Sequence, residues 1–275
     1  MKTVLEVIQA TTAYFAKCGI ESPRLNIEHL LAHALGKKRM ELYMEFDRAL
    51  PEPLLETLRA QVKRRAQGEP LQHLLGTVEF CGRTFLSDRR ALIPRPETEQ
   101  LCELLLAGPA PQRVIDVGTG SGVIALTLAA AWPDAEVHAV DVSPEALALA
   151  RENATRLALT GRVHFHESEL LRAVEGPFEL LVANLPYIAE VEMPALAREL
   201  AHDPALALVG GASGTELIER LIAETPRILR GTLALEIGDG QSAALTSVLR
   251  AANFGDIREV PDYQRRPRFL FATYG

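Results

Sequence analysis

An amide, a forced bend and an aromatic ring follow one another where an apolar run ends, in Val182-Ala183-Asn184-Leu185-Pro186-Tyr187-Ile188. The asparagine oxygen can accept one N–H, the neighbouring backbone carbonyl a second, and the tyrosine ring can lie against a planar group, while Pro186 holds Leu185 extended. That is equipment for gripping a planar nitrogen. Asn and Pro are also ordinary turn residues, so the segment taken alone is compatible with a plain strand end. It leaves nitrogen of DNA, RNA or protein open as the target.

A second cluster precedes it. Val114-Ile115-Asp116-Val117-Gly118-Thr119-Gly120-Ser121-Gly122 leads into the helical stretch Val123–Ala131. Glycines here permit a tight strand-to-helix turn and let a ligand approach the backbone closely. A dinucleotide fingerprint requires glycine at 123, where this chain has valine; the G-x-G-x-G spacing favours a nucleoside without a diphosphate. Asp141, at the end of the next strand, is placed to accept hydrogen bonds from two ribose hydroxyls. Gly118, Thr119, Gly120, Ser121, Gly122 and Asp141 thus form a candidate nucleoside cradle, and their pairing with 182–188 argues against an empty fold.

Positioning these groups takes a sheet. Apolar runs at 113–117, 136–141, 163–166, 178–183 and 232–237 alternate with helical stretches, which predicts parallel strands covered on both faces. Two last runs, 257–260 and 268–273, are joined by a short polar connection containing Pro261 and Pro267. A hairpin there makes one strand antiparallel to the rest. The expected class is α/β, a seven-stranded Rossmann-like sheet occupying 97–275.

Residues 1–75 read as a small helical domain. Val4, Val7, Ile8, Thr11, Tyr14 and Phe15 recur at helical spacing, Leu25, Ile27, Leu30, Leu31 and Leu35 form a second stripe ended by Gly36, and a third helix spans 52–67. His29 and His33 are an i, i+4 pair on the second helix; with no third ligand nearby they are read as surface or rim histidines rather than metal ligands. Residues 76–96 read as a β-hairpin linker, with Val78-Glu79-Phe80 and Thr84-Phe85-Leu86 about Gly82. It ends in Ile93-Pro94-Arg95-Pro96-Glu97-Thr98-Glu99, where the prolines hold their predecessors extended and the acids suit the first turn of a helix running to Leu106.

Composition narrows the class. A chain of 275 residues with formal charge -7 does not suit a protein that wraps nucleic acid by neutralising phosphates. Cys18, Cys81 and Cys102 are scattered, so neither a disulfide framework nor a Cys-x-x-Cys site is expected, and a reducing compartment is. No apolar run approaches 18 residues, and Glu6 interrupts the N-terminal apolar stretch; the expectation is a cytoplasmic protein with neither membrane nor direct nucleic-acid partner.

These features resemble S-adenosylmethionine-dependent methyltransferases that modify planar nitrogen, in which one strand ends in Asn-Pro-Pro-Tyr or a relative and one strand is reversed. When Gly68-Glu69-Pro70-Leu71-Gln72-His73-Leu74-Leu75-Gly76, Glu79-Phe80, the run 93–99, Glu236-Ile237-Gly238 and Gln241 are included, the chain is similar over nearly its whole length to the release factor glutamine methyltransferase family (HemK/PrmC type). The Ile-Pro-Arg-Pro-Glu-Thr-Glu run is the most specific signal.

The resemblance implies a methyl donor, S-adenosylmethionine, which leaves as S-adenosylhomocysteine, no metal, and class-1 peptide chain release factors as partners. The acceptor it implies is the side-chain nitrogen (N5) of glutamine in their Gly-Gly-Gln loop. Asn184, Leu185, Pro186 and Tyr187 become the catalytic and substrate-holding residues, and Asn184 also borders the cofactor. Ungapped counting back from Asn184 puts Glu169 at the adenine position. The resemblance also sets Phe80 and Arg95 near the wall of the partner cleft. Two departures stand out. Leu185 occupies the place of the usual first proline, and the resulting Asn-Leu-Pro-Tyr resembles rRNA adenine dimethyltransferases; Glu167-Ser168-Glu169 replaces the usual acidic-aromatic pair. The rival readings are a ribosomal-protein glutamine methyltransferase, an RNA or DNA amino-methyltransferase, and a non-catalytic binding module that kept the fold.

Overall fold

The computed structural model describes residues 2–195 and 199–275. It divides into two compact units, Met1–Thr77 with Ala197–His202, and Val78–Leu196 with Asp203–Gly275.

The first unit is helical: α1 (Val4–Lys17), α2 (Pro23–Leu35), α3 (Glu52–Ala66) and the short α4 (Leu71–Leu75). A capping box starts α1, in which Thr3 Oγ1 accepts from Glu6 N and the Glu6 carboxylate accepts from Thr3 N. Val4, Phe15, Ile27, Leu30, Leu31 and Leu58 close one apolar core. Leu25, read above as part of the second stripe, is 42% exposed, because it lies two residues, hence about 200° of helical turn, from Ile27. His29 is half-buried and His33 exposed.

In the second unit, strands β1 (Thr77–Phe80) and β2 (Arg83–Leu86) form the expected hairpin. Helix α5 (Pro96–Leu106) follows, with Arg95 as its N-cap, Pro96 at its first position and Glu97 and Glu99 in its first turn. Then come β3 (Arg113–Val117), α6 (Val123–Ala131), β4 (Glu136–Asp141), α7 (Pro144–Arg156), β5 (Val163–Glu167), β6 (Phe178–Ala183), the short parallel pair β7 (Ile188–Ala189) and β8 (Val209–Gly211), α8 (Glu216–Glu224), β9 (Leu229–Glu236), α9 (Ser242–Ala251), β10 (Gly255–Pro261) and β11 (Pro267–Tyr274).

The seven-stranded sheet runs β10-β11-β9-β6-β3-β4-β5. Only β11 is reversed; it lies antiparallel between β10 and β9, so β10 takes the edge. Successive residues of a central strand serve opposite faces: Val114 joins the core beneath α5 and α6 with Leu101, Ile124 and Leu128, and Ile115 joins the one beneath α8 and α9 with Ile218, Leu221, Leu245 and Leu249. Strand β9 starts three residues before the predicted 232 because Leu229, buried and paired with Phe178, is separated from the apolar run by Arg230-Gly231. No helix among the described residues is long and apolar enough to cross a membrane.

Candidate active site

The sheet order reverses about β3, and a crevice outside the carboxyl ends of its strands is where such sheets bind ligands. A cavity of ≈ 330 Å³ lies there, lined by both sequence clusters: Gly118, Gly120 and Asp141 on one side, Asn184, Leu185 and Pro186 on the other. Its volume suits a small molecule.

The glycine turn is held from beneath. Gly118 N and Thr119 N both donate to Val140 O at 2.9 Å. Asp141 Oδ2 accepts from Gly120 N at 2.8 Å and Oδ1 from Ser143 N at 2.9 Å. Each carboxylate oxygen keeps lone-pair capacity for a further donor, and burial pushes the Asp141 carboxyl above its ordinary value against these backbone bonds. Thr119 and Ser121 also line the cavity. Gly122 is not among its lining residues; a methyl there would stand 3.0 Å from Ala150 Cβ and 3.1 Å from Leu126 Cδ1, so this glycine lets α6 and α7 close on each other.

Two braces carried no role in the sequence reading. Asn153, fully buried on α7, donates to Ser121 O at 2.9 Å and accepts from Leu86 N at 2.6 Å, tying the turn to the hairpin. Asp116 Oδ2 accepts from Thr119 Oγ1 at 2.6 Å and from Ala125 N at 3.1 Å in the first turn of α6. Its complete burial, with the Asp141 charge adding, pushes its carboxyl up to about 7. The native protein therefore keeps this proton in a window where the unfolded chain, titrating near 3.8, has released it. More protons bound in the native state means that this group's contribution to stability falls as pH rises through that window. Urea unfolding of Asp116→Asn beside wild type should show the variant gaining relative to wild type between about pH 4 and about pH 7; a pH-independent difference would contradict the assignment.

Asn184 follows β6 and is half-buried. Its Nδ2 donates to Thr98 Oγ1 at 2.9 Å, and Thr98 Oγ1 donates to Glu236 Oε2 at 2.8 Å. The buried side chain of Leu185 packs over Gly118, its Cδ2 standing 2.7 Å from where a methyl on that glycine would be. Tyr187 is not among the described residues lining the cavity; its ring packs against the α8–α9 core, and burial, then the nearby Glu236 charge, push its phenol up to about 12. Tyr187 O accepts from Gln241 Nε2 at 2.8 Å, and Gln241 Oε1 in turn accepts from Gly238 N at 2.8 Å. Gly210 on β8 backs the segment, since an added methyl would meet Pro186 O at 2.5 Å and Gly214 O at 2.4 Å, backbone atoms with no room to give. Gly210→Ala should cost about 1–3 kcal/mol of stability and lower turnover; an unchanged urea midpoint would show the segment to be looser than this packing requires.

Glu169 lines the cavity, but its carboxylate pairs with Arg220 and, at 2.6 Å, with Arg172, which hold it below the usual carboxylate range. Ser168 beside it is buried, and its N–H donates to Asp141 O at 2.9 Å. Arg95 lines the cavity and pairs with Asp203 at 3.3 Å. Phe80, placed near a cleft wall from sequence, is instead buried edge-on against Phe85 in the α5–α6 core. Among the described residues Glu136, His138 and His164 bring possible metal-donor atoms within 4.8 Å of one another, on β4 and β5, and none of the three lines the cavity.

Two family models match separate stretches of the chain. The profile of the PrmC N-terminal domain matches residues 6–76 and that of the methyltransferase small domain residues 97–218. The release factor glutamine methyltransferase of Chlorobaculum tepidum is 39% identical over 98% of this chain and 96% of its own length, and that of Deinococcus radiodurans 40% identical over 97% of each. Among solved structures, the human Mettl16 catalytic domain, in complex with the MAT2A 3'UTR hairpin 6, matches with a TM-score of 0.56 over 82% of each chain at 16% identity, a likeness of fold alone.

Proposed function

The chain belongs to the release factor glutamine methyltransferase family, and on that premise we propose that it methylates N5 of the glutamine in the Gly-Gly-Gln loop of class-1 peptide chain release factors, in the cytoplasm, with S-adenosylmethionine as donor. The observation that carries this reading is the Asn184 amide in one cavity with the Gly118–Gly120 turn and the Asp141 carboxylate. A glycine turn without side chains, a carboxylate with lone pairs to spare for ribose hydroxyls and a cavity of small-molecule size fit the nucleoside of that cofactor. When bound, S-adenosylmethionine supplies an electrophilic sulfonium methyl and departs as S-adenosylhomocysteine.

The remaining work belongs to the chain's own residues. An amide nitrogen is a poor nucleophile because its lone pair is delocalised into the carbonyl, a resonance measured by the rotation barrier of about 18–20 kcal/mol. Asn184 Oδ1 accepts one N–H of the substrate amide and the Leu185 carbonyl the other, which raises electron density at nitrogen and fixes its plane. Pro186 holds Leu185 extended so that its carbonyl is presented, while Tyr187, packed on the α8–α9 core, anchors the segment from behind instead of stacking on the acceptor. No strong general base is needed, as the proton can leave to water after transfer. Leu185 in place of proline keeps this arrangement because only its backbone carbonyl is used; the side chain packs away over Gly118.

Incubation with labelled cofactor and, separately, a class-1 release factor, its loop Gln→Ala variant, a ribosomal-protein glutamine substrate and RNA tests the reading. Label is expected on the unaltered release factor alone. Label on the ribosomal protein or RNA, and none on the release factor, would overturn it.

A further inference from the structure

Two of the runs that resemble the family, 93–99 and 236–238, converge on Asn184 through Thr98 and Glu236, and the mechanism above gives them no task. Thr98 is 3% exposed and Glu236 1%, and their side chains form a chain that ends on the Asn184 amide. A hydroxyl carries one proton. When Thr98 spends it on the Glu236 carboxylate, its oxygen can only accept, and the partner it accepts from must be the nitrogen end of the asparagine amide. The Asn184 amide also favours the charged form of the Glu236 carboxylate. The Thr98 oxygen therefore holds Nδ2, with the Glu236 charge behind it, and leaves Oδ1 for a substrate N–H.

We propose that Thr98 and Glu236 are positioning residues that set the polarity of the Asn184 amide, nitrogen inward and oxygen toward the substrate. The inference rests on the reading that Asn184 holds the acceptor nitrogen. One proton reverses the chain: a Glu236 carboxylic acid donates to Thr98 Oγ1, the hydroxyl turns its proton toward Asn184, and a flipped amide then answers it with Oδ1. The flipped amide presents N–H to the substrate's N–H, donor against donor, and only the Leu185 carbonyl is left to grip the acceptor.

The surroundings of Glu236 set where that happens. Thr98, Glu97 and Cys102 on α5 influence or face it, as do Asn184 and Tyr187 after β6 and Arg268 on β11. Burial pushes its carboxyl up to about 7; the Thr98 bond, Arg268 and the Asn184 amide oppose this, and Glu97 adds to it. Because the working form is the deprotonated one, turnover is present above this value and lost as pH falls through it.

The test measures kcat on a class-1 release factor from about pH 5.5 to about pH 9 for wild type, Thr98→Ser, Thr98→Val and Glu236→Gln, with cofactor affinity by calorimetry. Wild type and Thr98→Ser should share an acid limb near pH 7, while Thr98→Val and Glu236→Gln lose about 10- to 100-fold in kcat with cofactor affinity unchanged. Glu236→Gln should lose the limb. Wild-type kcat in folded Thr98→Val and Glu236→Gln, or a limb that survives in Glu236→Gln, would overturn the proposal. An activity-independent readout separates it from the reading beneath: the Asn184 side-chain amide resonance, identified by its loss in Asn184→Ala, should titrate near pH 7 in wild type and not in Glu236→Gln. A resonance that does not titrate in wild type overturns the proposal whatever the substrate; a resonance that titrates as stated in a protein that leaves release factors unmethylated sinks the substrate assignment instead.

Discussion

Replacing Asn184 with alanine is expected to cut release-factor methylation by about 10²- to 10³-fold, measured as kcat at saturating cofactor, with cofactor affinity retained. The size follows from losing one hydrogen-bond partner aimed at the reacting nitrogen. Two neighbours make the loss specific. Thr98 Oγ1, which accepts from Asn184 Nδ2 at 2.9 Å, keeps its bond to Glu236 in the variant, so the α5–β9 contact survives. Leu185 remains packed over Gly118, so the wall of the cavity survives too. Asn184→Asp should fare little better, since a carboxylate beside buried Glu236 sets two like charges together. Near-wild-type turnover in Asn184→Ala would remove the amide grip from the mechanism.

Asp141→Ala is expected to weaken S-adenosylmethionine binding by about 10²-fold, the scale of one or two hydrogen bonds to a charged group. The carboxylate accepts from Gly120 N and Ser143 N, so the variant loses both the acceptors proposed for the ribose and the brace that shapes the turn. Asp141→Asn separates these contributions, because its single oxygen can serve one backbone donor and one hydroxyl but no longer both pairs. Calorimetry should rank wild type above Asp141→Asn and that above Asp141→Ala. Equal affinities would contradict the ribose role.

Much of the fold was legible because its strands are short apolar runs with polar punctuation. Arg113–Val117, Glu136–Asp141 and Phe178–Ala183 have the bounds their composition predicts. Leu229 escaped because Arg230 and Gly231 interrupt its run, a break that pairing with β6 tolerates. Gly118, Gly120, Asp141 and Asn184, which line one cavity, were legible as a candidate site because local geometry dictates their types: a turn needs glycine, a strand end offers a carboxylate. Thr98, Asn153 and Glu236 were not, since each acts across 67 residues or more of chain, from Asn153 to Leu86 and from Thr98 to Glu236. A buried threonine on a helix and a buried glutamate at a strand end carry no periodicity that reveals a partner. Glu169 shows the converse: counting from Asn184 reached the cavity wall, but which side chain is free to meet a ligand there depends on Arg172 and Arg220, and Arg220 lies on a separate helix.

The central claim, that this cavity delivers a methyl group to a protein glutamine nitrogen, is tested most directly by peptide mass spectrometry of a class-1 release factor after incubation with the enzyme and S-adenosylmethionine. One added methyl group, located by fragmentation on the side chain of the Gly-Gly-Gln glutamine and absent with Asn184→Ala, is the result expected. A methyl group on any other residue, or an unmodified loop glutamine under active enzyme, would contradict it.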